Sequence, residues 1–119
     1  MQDETVRLDP DRLTTLYAQL GEDGAEDVIC RAMEELAVRL TYAERMYRSG
    51  QTGDLRKSVR SMAAIAEQIG MNLLARVARD VTAPIDPADD NELAAPLARL
   101  LRIGERSLSA VWEMRDLSG

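Results

Sequence analysis

Histidine and phenylalanine are both absent from this 119-residue chain. Without an imidazole there is no Ser–His or Cys–His catalytic pair and no histidine ligand for zinc. The Glu-x-x-His pairs of carboxylate-bridged di-metal bundles are excluded for the same reason. Cys30 is the single cysteine. It allows neither an intrachain disulfide nor a thiolate cluster, and a lone thiol suits a reducing compartment. Aromatic side chains are limited to Tyr17, Tyr42, Tyr47 and Trp112, so the core is expected to be aliphatic. Acidic residues outnumber basic ones, 21 to 15. The formal net charge of −6 argues against binding phosphate backbones, which requires clustered Lys and Arg. No apolar run approaches the ~18 residues of a membrane span. The polar opening Met1-Gln2-Asp3-Glu4-Thr5 is unlike a secretory leader. The expected location is the cytoplasm, with no membrane and no nucleic acid among the partners.

What is present is a helical pattern. A composition of 45% hydrophobic and 30% charged residues is that of a folded globular protein, and the length fits one domain over 1–119, with 1–8 as a loosely ordered tail. Asp9-Pro10 reads as an N-cap followed by proline at the first helical position. Leu13, Leu16, Tyr17 and Leu20 follow at helical spacing, and Gly21 ends this short segment. A long helix is expected from about Asp23 to Ser49, with Val28, Ile29, Met33, Leu36, Ala37, Leu40, Ala43 and Tyr47 as its apolar stripe. Leu55, Val59, Met62, Ala66 and Ile69 recur at alternating steps of four and three and stop at Gly70. Leu73, Leu74, Val77, Ala78 and Val81 carry a further helix towards Pro84. The last holds Leu93, Leu97, Leu100, Leu101, Leu108, Val111 and Trp112. Pro96 places its regular start near Ala95 or a kink there, and Gly104 falls on its inner side. No segment alternates with the period of a strand. Amphipathic helices with short connections bury their stripes as an all-α, antiparallel up-and-down four-helix bundle, with the short N-terminal helix as an extra element.

Few residues offer chemistry. Glu34, Glu35 and Glu44 read as a solvated face rather than metal ligands. Asp86, Asp89, Asp90 and Glu92 lack the alternating ligands and central glycine of a calcium loop and read as helix-start residues. Cys30 adjoins the apolar stripe and reads as a small core hydrophobe. There is no glycine-rich phosphate cradle. No metal, no cofactor and no enzyme activity is expected.

The segment LRKSVRSMAAIAEQIGMNLL, Leu55 to Leu74, resembles the heart of a histidine-phosphotransfer (HPt) domain. That family carries His-x-x-Lys-Gly on one bundle helix, a glycine ten residues after the histidine, an apolar residue next to it and another four residues after the glycine. Gly70, Met71 and Leu74 match the last three. Counting back ten from Gly70 places Arg60 at the phosphoacceptor position, with Ala63 in place of the lysine and Ala64 in place of the glycine. The order and lengths of the elements follow the family along nearly the whole chain, from Leu8 onward, and the resemblance implies its four-helix bundle with a short N-terminal helix. It also implies a degenerate member. A guanidinium is permanently protonated and is no nucleophile, so Arg60 cannot relay phosphate.

In the family the helix face corresponding to Arg56, Arg60, Ala63, Ala64 and Glu67 docks a receiver domain. With Lys57 it forms a local basic cluster on an acidic chain. The resemblance therefore implies a phosphorelay adaptor, decoy or inhibitor that occupies a response-regulator receiver domain or a histidine kinase. Two other readings stand beside it. Arg56, Lys57 and Arg60 are equally the solvated side of an amphipathic helix. The bundle is also open to reading as a non-signalling interaction or oligomerisation module, a homodimer included, in which exposed Met46, Tyr47 or Trp112 would mark the interface.

Overall fold

The computed structural model describes residues 8–82 and 93–118, without the side chains of 114–118. Within them the chain forms four helices and no strand: α1 (Pro10–Arg48), α2 (Thr52–Gln68), α3 (Asn72–Thr82) and α4 (Ala94–Ser118). The expectations for the N-terminal tail and for the acidic stretch Asp86–Glu92 fall largely or wholly outside the described residues.

Local chemistry sets the helix ends. Asp9 caps α1: its carboxylate accepts the Asp11 N–H at 3.0 Å, and Pro10 follows at the first helical position. Gly21 interrupts α1 with φ 75° and ψ 174°, a region open essentially to glycine alone. The sequence break at Gly21 is therefore real, while the helical run resumes at once on its far side. α2 closes as a Schellman motif. Gly70 adopts φ 80°, its N–H reaches the Glu67 carbonyl at 3.2 Å, and the Met71 N–H reaches the Ala66 carbonyl at 2.8 Å. Pro96 lies in the first turn of α4, where a missing N–H leaves no intrahelical acceptor unpaired. Of the two expectations for Pro96, the early helix start is the one observed.

α2 packs on α1 and α3, and α4 packs on α3 and α1, so the helices enclose one core in sequence order. All five stripe residues of α2, Leu55, Val59, Met62, Ala66 and Ile69, are buried. They meet Met33, Leu36 and Leu40 of α1, Leu74, Val77 and Val81 of α3, and Leu97, Leu100 and Ile103 of α4 in a single cluster. At ~25 cal/mol per Å² of apolar surface removed from water, this aliphatic cluster is the main force holding the helices together. Gly104 lets α4 approach α1 closely: a Cβ there would lie 2.6 Å from Leu40 Cδ1. Arg39 ties α1 to α2, donating from Nε to Glu35 at 2.8 Å and from Nη1 to the buried Ser58 hydroxyl at 3.1 Å. On α1 the expected stripe needs one correction. Ala37 is exposed, and Ala25 and Ala32 are buried. The inward side of α1 thus runs through Ala25, Ile29, Ala32, Met33 and Leu36.

The start of α1 is fastened to the α2–α3 turn. The Asp9 N–H donates to the Gly70 carbonyl at 2.8 Å, Arg12 Nε donates to the Gln68 carbonyl at 2.8 Å, and Asn72 Nδ2 donates to Asp9 Oδ2 at 3.1 Å. No helix is long and apolar enough to cross a membrane, among the described residues.

Candidate partner-binding face

Arg60 lies near the middle of the 17-residue α2. The buried stripe at Val59 and Met62 fixes the helix rotation and turns Arg60 outward, where its side chain is exposed. Lys57 and Ala64 are exposed beside it, one turn before and one turn after. Neither Lys57 nor Arg60 has an ion-pair partner among the described residues.

The other residues of this face behave differently. Ala63, expected to be open to a partner, is only 6% exposed and belongs to the core cluster. Its position adjoins the buried Val59–Met62–Ala66 stripe, and a methyl group is small enough for the neighbouring helix to close over it. Arg56 is half-buried, and its Nη2 is shielded from solvent with no hydrogen-bond acceptor. Glu67 is exposed, yet its carboxylate is held by Arg79 of α3 at 2.6 Å. It therefore joins two helices of the bundle, and its charge is already answered. The open part of the face narrows to Lys57, Arg60 and Ala64, with Arg56 at its edge.

Gly70, Met71 and Leu74 stand in structural positions. Gly70 carries the positive φ of the helix stop, and a Cβ there would come within 3.1 Å of the Asp9 nitrogen. Met71 and Leu74 are buried. The glycine followed by an apolar residue is the signature of the Schellman stop itself. These three matches thus describe how the helix ends and bear on the fold, whereas Arg60 bears on the site. The Asp9–Asn72–Gly70 fastening lay beyond sequence reasoning, because its partners are more than sixty residues apart; only the Asp9-Pro10 cap signalled one end of it.

Asp9 is held below the usual aspartate value, first by the Asn72 side-chain hydrogen bond; desolvation opposes it, and the backbone N–H groups of Asp11 and Arg12 lower it further. Among the described residues no group of three or more acidic or cysteine side chains converges as a metal site would require. Cys30 is half-buried and not in a disulfide. A shallow groove lined by Tyr42, Arg45, Met46, Arg48, Ser49 and Gln51 shares no residue with the α2 face. Its cations are occupied: Arg45 lies over the Tyr42 ring at 5.5 Å, and Arg48 pairs with Glu44. Of the side chains considered as interface markers, Met46 and Tyr47 are half-buried against the core, while Trp112 is 46% exposed.

Compared with protein-family models, curated proteins and solved structures, the chain matches none.

Proposed function

We propose that this protein is an HPt-like signalling adaptor of a two-component phosphorelay. In this reading the four helices form an antiparallel up-and-down bundle. The segment of α1 before Gly21 is the short extra N-terminal helix, and the chain works in the cytoplasm. It binds a receiver domain or a histidine kinase through α2 and accepts no phosphate.

The observation that carries the reading is Arg60: exposed, mid-helix, without an ion-pair partner among the described residues, and ten residues before the glycine that closes α2. Its guanidinium has no lone pair to attack a phosphoryl group, but it presents a planar fork of donors suited to carboxylates. Exposed Ala64, one turn on, lets a partner's backbone come close. Ala63, buried at the position that corresponds to the family's lysine, supplies no charge there.

The test is an affinity pull-down of the tagged chain from its native lysate with identification by mass spectrometry. Enrichment of a receiver-containing regulator or a histidine kinase, lost with Arg60→Glu, is the expected result. Recovery of the chain alone, or of an unrelated helical protein, contradicts it. Exposed Trp112 favours a second reading, an assembly module. In that case the chain would be a stable dimer in light scattering, and Trp112→Ala would return it to a monomer.

A further inference from the structure

We infer that the Arg56–Lys57–Arg60 cluster docks on a partner's carboxylate cluster in its metal-free state and competes with a divalent cation for those oxygens. This rests on the adaptor reading above and names what regulates it. Three cations fall within five consecutive residues of α2, on a chain whose net charge is −6. The acidic side chain further along the face, Glu67, is neutralised by Arg79 at 2.6 Å. Asp54 is the one carboxylate on this half of the helix, so the half stays positive. Lys57 and Arg60 have no ion-pair partner among the described residues, while Arg56 stands half-buried at the edge of the face with its Nη2 shielded from solvent. The surface is therefore short of anions, and a partner supplies them by charge complementarity.

The partner's chemistry follows. Guanidinium groups pair with carboxylates bidentately and are weakly hydrated, so they lose little on leaving water. A carboxylate pocket dense enough to engage two or three cations is also the oxygen cluster that a hard divalent cation occupies. The same lone pairs cannot serve both, and a bound cation removes the charge that α2 recognises. Binding of the chain and of the cation is then antagonistic, and by linkage each weakens the other equally.

The experiment uses the full chain and purified receiver domains encoded by the same genome, stripped of metal with EDTA, with affinity measured by biolayer interferometry. Titration with magnesium chloride is compared with potassium chloride at matched ionic strength, which accounts for screening. The expected result is binding to a stripped receiver that Mg²⁺ weakens by roughly tenfold or more beyond the effect of K⁺, with Arg60→Glu binding poorly throughout. Binding that depends on Arg60 but is unchanged or strengthened by Mg²⁺, or weakened equally by K⁺, overturns the competition and leaves the adaptor reading standing. Absence of binding to every receiver, with and without metal, overturns both.

Discussion

The Asp9 N–H donates to the Gly70 carbonyl at 2.8 Å, and the Asp9 backbone lies so close that a Cβ on Gly70 would come within 3.1 Å of its nitrogen. One glycine thus satisfies two demands: the left-handed backbone of the α2 stop and the space for the entry into α1. Gly70→Ala is expected to lower stability by about 2–3 kcal/mol, from the left-handed backbone and the steric clash together. Urea denaturation followed by circular dichroism measures it; a loss below half a kilocalorie would contradict this account of the junction.

Asp9 contributes to the same junction through its charge. Its carboxylate is held below the usual aspartate value mainly by Asn72. A depressed folded value means that the unfolded state binds the proton more readily. The stabilisation is therefore complete above the ordinary aspartate pKa and is lost as pH falls through the folded value. Asp9→Asn removes this dependence, so the acid limb of its stability–pH curve should be flatter than that of the wild type. Parallel curves would show that Asp9 has no such coupling.

Gly104 and Leu40 form a second close approach, between α4 and α1. Gly104→Ala drives a methyl group into the Leu40 side chain and is expected to cost about 1–3 kcal/mol by overpacking. Leu40→Ala alone leaves a void. Combined, the two substitutions relieve one another, and a double-mutant cycle should return a coupling of about 1 kcal/mol in favour of the pair. Simple additivity would mean that the helices separate instead.

Ser107 is 1% exposed, and its hydroxyl has no hydrogen-bond partner among the described residues. A buried unpaired hydroxyl costs about 1–3 kcal/mol. Ser107→Ala is expected to be neutral or to raise stability by about 1 kcal/mol, read as a higher melting temperature. A clear loss would reveal a partner for the hydroxyl in solution.

The periodic parts of this fold were legible in the sequence, and the long-range parts were not. The α2 stripe came through whole, since alternating steps of four and three leave one rotation of the helix, and Leu55, Val59, Met62, Ala66 and Ile69 are all buried. Gly21 and Gly70 announced their breaks because few other residues tolerate those backbone angles. Ala63 was misplaced: alanine at the edge of a stripe is compatible with either side, and only the closeness of a neighbouring helix decides. The commitment of Glu67 to Arg79 depends on how α2 meets α3, which no local pattern encodes. The exposure of Arg60 is legible because its rotation follows from Val59 and Met62.

The proposed role of Arg60, binding a phosphorelay partner without chemistry, is decided by the affinities of wild type and Arg60→Glu for isolated receiver domains and kinases, measured side by side. The wild type should bind measurably and the variant at least tenfold more weakly, about 1.4 kcal/mol, with unchanged thermal stability because Arg60 is exposed and has no ion-pair partner among the described residues. Equal binding by the two proteins, or binding by neither, would contradict it.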